Sequence, residues 1–139
     1  MQPDGEATIH RIEQALTSLF LRPNLQLVIL FGSTAKDLTH RNSDIDLAFL
    51  FDGPADVLDL TNEVAGLLGT DRVDVIDLRR ASPLLGHAAA TEGRLIYERV
   101  AGSFQVFRSL AFRRYVDTKK LRDARAGVVR NFLRTRGLS

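Results

Sequence analysis

The chain has 139 residues, 45% of them hydrophobic and 26% charged, with a formal net charge of +2. That is about one ordinary domain of ordinary globular composition. It contains no cysteine, which excludes a disulfide framework and a thiolate zinc site and fits a reducing, cytoplasmic setting.

The opening residues lack a basic stretch leading into an apolar run, and no stretch approaches the ~20 apolar residues of a membrane span. Neither a secretory leader nor a membrane anchor is therefore expected. The charge is unevenly placed. Residues 108–139 carry ten Lys or Arg against two Asp, a net of +8, and the rest carry nine against fifteen, a net of −6. An acidic body with a basic tail suggests an acidic partner surface, RNA or DNA, although a solvated helix face has the same composition.

In chain order, Ile9, Ile12, Leu16, Leu19 and Phe20 recur at helical spacing, and Pro23 ends the run. Residues 25–31, LQLVILF, are apolar on both faces and read as a central strand, broken by Gly32. Residues 44–51, DIDLAFLF, read as a second strand. Its side chains alternate, so Ile45, Leu47, Phe49 and Phe51 share one face, and Asp44 and Asp46 point together to the other.

A turn at 52–54 leads to a helix marked by Val57, Leu60, Val64, Leu67 and Leu68 and closed by Gly69. Residues 72–78, RVDVIDL, read as a third strand, with Asp74 on the face opposite Val73 and Val75. Ser82 and Pro83 form a cap and first turn of a helix that stops near Gly93. A short edge strand follows. From about residue 103 to 136 the pattern is helical, ~50 Å long if unbroken, with Gly127 a place where it could bend.

The chemistry lies in two short pairs. A strand ending in Gly32 followed by a helical turn offers free backbone N–H groups that suit a phosphate, and the Ser33 hydroxyl can add a donor. A plain turn with a serine cap would read the same way. Ten residues on, Asp44 and Asp46 place two like charges on one strand face, where burying them unpaired is costly. Mg²⁺ removes that objection, because it takes carboxylate oxygens and completes its shell with substrate phosphates and water. Asp74 has the parity to join them if the strands are neighbours, and Asp77 has the other parity. Arg41 and Ser43, in the loop ahead of the aspartates, are placed to touch phosphates. Tyr97, Arg99 and Phe104 are generic groups able to serve a base. His10, His40 and His87 lack ligand spacing and are expected to be structural or superficial.

Gly32-Ser33, then Asp44-Ile45-Asp46, with Asp74 on a later strand, resembles the DNA polymerase β-like nucleotidyltransferase superfamily. The short length resembles its minimal nucleotidyltransferases, the MNT antitoxins of HEPN/MNT toxin–antitoxin pairs. The resemblance covers about residues 8–100. It implies an α+β fold: a small mixed sheet with flanking helices and a long C-terminal helical segment. Residues 1–101 would be the nucleotidyltransferase domain, and 102–139 a basic helical extension of it, a candidate for docking a partner.

The resemblance also assigns roles. Gly32, Ser33, Lys36 and Ser43 would bind the nucleotide, and Asp44, Asp46 and Asp74 would be catalytic and hold two Mg²⁺ ions. Many members follow Gly-Ser with a variable residue, Ala, Arg and Gly; here stand Thr34, Ala35, Lys36 and Asp37. Lys36 keeps the charge without the guanidinium fork, and Asp37 puts an acid where glycine is usual. The implied activity is transfer of AMP from ATP to a tyrosine hydroxyl of a HEPN ribonuclease toxin, silencing it. The rival readings are an antitoxin that works by binding alone, a nucleotidyltransferase acting on a small molecule, and a nucleic-acid-binding tail.

Overall fold

The computed structural model describes residues 3–32 and 44–135. Among these, four strands form one sheet in the order β3-β2-β1-β4: β1 Leu25–Phe31, β2 Ile45–Phe51, β3 Val73–Asp77 and β4 Arg94–Glu98. β1 pairs antiparallel with β2 and with β4, whereas β2 and β3 run parallel. Parallel neighbours need a crossover, and the helix Val57–Leu68 supplies it. The strand read from the sequence as apolar on both faces is central, with a neighbour on each edge.

Both faces of the sheet are covered. On one, Val28, Leu30, Leu47 and Phe49 pack with Ile12, Leu16 and Leu19 from the N-terminal helices and with Leu60 and Val64 from the crossover. A register irregularity between Leu25 and Leu27 lets Leu25 and Val28 meet this same core although they are three residues apart. The other face is thinner. Ile29, Ala48, Leu78 and Ala89 form its centre, with Phe31, Leu50, Ile76, Phe104 and Phe107 against them.

The helices are α1 Pro3–Ala15, α2 Thr17–Phe20, α3 Val57–Leu68, α4 Pro83–Glu92 and α5 Ser103–Thr135. The single N-terminal helix expected from spacing is split between α1 and α2. At the split the Leu16 N–H is shared between the Ile12 and Glu13 carbonyls, and the Thr17 hydroxyl donates to the Gln14 carbonyl. A hydroxyl that bonds back to the preceding turn competes with the helical ladder.

The other ends follow their signals. Asp56 caps α3 by accepting from the Asp59 N–H at 3.0 Å, and Gly69 closes it with φ 69°. Ser82 accepts from the Leu85 N–H at 3.1 Å and Pro83 begins α4. α5 runs unbroken through Gly127 for 33 residues. Its first turn is fixed by Glu98, whose carboxylate accepts from the Gly102 and Phe104 N–H groups; negative charge is favoured at that end of a helix. Among the described residues no helix is long and apolar enough to cross a membrane.

Gly93 joins α4 to β4 in ordinary extended geometry, but a Cβ there would lie 2.3 Å from the Ala89 carbonyl oxygen and 2.4 Å from Ile29 Cγ2. Gly93→Ala should therefore lower the unfolding free energy in urea by about 1–3 kcal/mol, the usual cost of overpacking. Gly66→Ala, in open space on the exposed side of α3, should raise it by up to ~1 kcal/mol.

Candidate active site

The end of β1, the start of β2 and the start of β3 come together at one end of the sheet. Across the antiparallel pair Phe31 lies opposite Asp46, and across the parallel pair Asp46 lies opposite Asp74. Partners in register project to the same face. That face is the one on which Ala48, Leu50 and Ile76 pack toward Phe104 and Phe107. Asp46 thus stands between Gly32 and Asp74, with Asp44 two residues earlier, just ahead of β2.

Gly32 has φ +83°, and a Cβ built on it would fall 2.1 Å from Asp46 Oδ2. The glycine is required twice: its backbone lies in the region that favours glycine, and the space beside it holds a carboxylate. From the sequence, only an approaching phosphate had argued for it.

The electrostatics follow from the crowding. Asp46 is half-buried, and Asp44 and Asp74 are exposed. Burial, then the charges of Asp74 and Asp44, then a hydrogen bond with Asp74, hold the Asp46 carboxyl above its ordinary value of 3.8. Two carboxylates this close repel each other, and a cation between them would relieve that repulsion.

Among the described residues no three His, Cys, Asp or Glu side chains are gathered closely enough to hold a metal ion between them. The in-register Asp46–Asp74 pair offers hard oxygen donors of the kind Mg²⁺ accepts through one or two carboxylates and substrate phosphates.

Of the residues expected to form the site, Gly32, Asp44, Asp46 and Asp74 are placed at this end of the sheet. Ser33, Lys36 and Ser43 lie outside the described residues, as do Asp37 and Arg41. Asp77 is set apart, as its parity implied: its Oδ1 accepts from the Arg79 N–H at 3.0 Å, and its Oδ2 is buried without a hydrogen-bond partner.

Three groups offered as generic base contacts are committed to the fold. Arg99 donates to the Leu25 carbonyl at 2.9 Å and to the Phe20 and Arg22 carbonyls. Tyr97 stacks on Phe20 with ring centroids 4.2 Å apart, and Phe104 packs under the sheet. No local signal marked Arg99 for this task, because its carbonyl partners lie more than seventy residues away.

With this geometry in place, the comparisons with known proteins are specific. The family described as "Polymerase beta, Nucleotidyltransferase" matches residues 13–101, and the chain belongs to it. Protein adenylyltransferase MntA of Aphanizomenon flos-aquae is 29% identical over 138 residues, covering 91% of this chain and 92% of that protein. A chain of a solved toxin–antitoxin structure with AMP-PNP superimposes with a TM-score of 0.73 at 31% identity, covering 87% of this chain and 97% of that one. A chain from the structure of a tri-AMPylated Shewanella oneidensis HEPN toxin in complex with its MNT antitoxin gives 0.69 at 27% identity, covering 90% and 98%.

Two consequences can be measured. Because the folded Asp46 value is raised, the folded state binds more protons than the unfolded state at pH values from 3.8 up to that value, so this group's contribution to stability falls as pH rises through that window. Asp46→Asn removes the penalty. Without added divalent cation its melting temperature should exceed that of the wild type at neutral pH, and the difference should vanish below pH 3.8. Gly32→Ala should displace the Asp46 carboxylate and lower nucleotidyl transfer at least ~100-fold, and the strain of a side chain at positive φ should lower the melting temperature as well.

Proposed function

We propose that the chain is a protein adenylyltransferase that acts as an antitoxin, transferring AMP from ATP to a tyrosine hydroxyl of a HEPN-type toxin with Mg²⁺. The observation that carries this reading is the Asp46 carboxyl, held between Gly32 and Asp74 at the strand ends of a polymerase β-type sheet. Relatives named protein adenylyltransferase, and likeness to toxin–antitoxin structures with AMP-PNP and with an AMPylated toxin, support the nucleotide, the transferred group and the acceptor.

Asp44, Asp46 and Asp74 would hold Mg²⁺, which supplies charge neutralisation for triphosphate oxygens and lowers the pKa of a nearby hydroxyl. The turn after β1 binds the phosphates through backbone N–H groups at Gly32 and Ser33, with Lys36 and Ser43 as further contacts. Asp46, on an interior strand and fixed on two sides, orients the triphosphate. Asp74, exposed on the outer strand of the sheet, accepts the proton of the incoming hydroxyl. The hydroxyl oxygen then bonds to the α-phosphorus, the bond from that phosphorus to the bridging oxygen breaks, and pyrophosphate leaves. Catalysis on this scheme is chiefly positioning and charge neutralisation.

The test combines the purified chain, ATP, Mg²⁺ and the HEPN-type toxin encoded alongside it, with intact-mass measurement of both proteins. One or more AMP adducts should appear on the toxin, be absent with excess EDTA, and fall at least ~100-fold with Asp74→Asn or Asp46→Asn. A stable complex that protects against the toxin while the toxin's mass stays unchanged, equally with Asp44→Asn plus Asp46→Asn, would replace this reading with neutralisation by binding alone.

A further inference from the structure

Helix α5 outreaches the body it packs on. Its 33 residues span ~50 Å, against ~23 Å for the seven residues of β1. One stripe faces inward: Ala111 is buried, Phe104 and Phe107 reach the second core, and Tyr115 stacks on His87 of α4 with centroids 4.1 Å apart.

A second row runs along another side. Val106, Leu110, Leu121, Val128 and Phe132 are each more than half exposed. At ~100° per residue their spacings of 4, 11, 7 and 4 keep them within ~80° of one another around the helix. The row begins at an apolar groove of ≈ 450 Å³, which Val106 and Leu110 share with Leu27, Leu50 and Val100. Asp117 interrupts it, and cations border it, Arg113 and Lys120 on one side and Arg114 and Arg125 on the other.

The charge selects the occupant. α5 carries nine Lys or Arg against two Asp, so a second copy would set two strongly basic helices against each other. Nucleic acid would meet the cations but leave the Leu and Val row without stacking partners. An amphipathic helix with an apolar centre and acidic borders satisfies both the row and its edges.

We propose that the groove and the outer row of α5 receive such a helix from the toxin partner, which rests on the reading of the chain as an antitoxin. The binding makes residues 102–139 the docking segment. It also supplies packing for the outer half of a helix that is marginal without it.

The experiment titrates the HEPN-type toxin encoded alongside into the full chain and into two variants, L121E/V128E/F132E and R113E/K120E/R125E, with ATP affinity measured in parallel. The apolar-row variant should weaken the complex at least ~100-fold, and the charge variant ~10-fold with a shallower salt dependence, both binding ATP like the wild type. Amide exchange along 119–135 should slow on complex formation. A wild type that adenylylates the toxin while the apolar-row variant binds it equally well would overturn this surface and leave the antitoxin reading standing. A wild type that neither binds nor modifies the toxin would overturn both. A wild-type dimer made monomeric by the apolar-row variant, or an RNA 20-mer bound more tightly than the toxin, would overturn the assignment in favour of that occupant.

Discussion

Two carboxylates held side by side on adjacent strands repel, and the rest of this molecule is arranged so that they stay there. Asp46 and Asp74 are in register across the parallel β2–β3 pair, and burial together with the neighbouring charges of Asp74 and Asp44 raises the Asp46 carboxyl. Such a pair is unfavourable to the apo fold, and nothing in hydrophobic burial requires it. It persists because the strands that carry it are locked by other contacts: Leu47 and Phe49 on one side of β2, and Ala48 on the other, are wholly buried. The apolar continuation of the strand holds its polar tip in place.

Gly32 belongs to the same constraint. Beside Asp46 there is room for a hydrogen and not for a methyl group. β1 is therefore followed at once by a residue of left-handed backbone, at the level of Asp46. Gly32 and the Asp46 carboxylate are thus two sides of one steric arrangement.

The second half of the molecule follows a different logic. α4 and the first turns of α5 close the thinner face of the sheet, with Phe104 and Phe107 as the pieces that reach it. Beyond Arg122, whose guanidinium lies 4.4 Å from the centre of the Tyr115 ring, the helix has no buried side chain among the described residues. The family model matches residues 13–101 and ends before α5.

Much of this was legible in the residues. Alternation along 44–51 put Asp44 and Asp46 on one face and the large apolar side chains on the other. Two apolar faces marked β1 as central, and Ser82-Pro83 and Gly69 marked helix ends. These are local signals, carried by periods of two and 3.6 residues and by caps that act within one turn. Parity alone said that Asp74 could join the pair. That it does depended on β3 lying next to β2, parallel and without stagger, and that choice is made by the crossover helix and the core it fills. The split after Ala15, the use of Arg99 on distant carbonyls and the side of α5 that faces inward were likewise decided by contacts between residues far apart in the chain. Sequence spacing determines which side chains share a face. Only packing determines which faces meet.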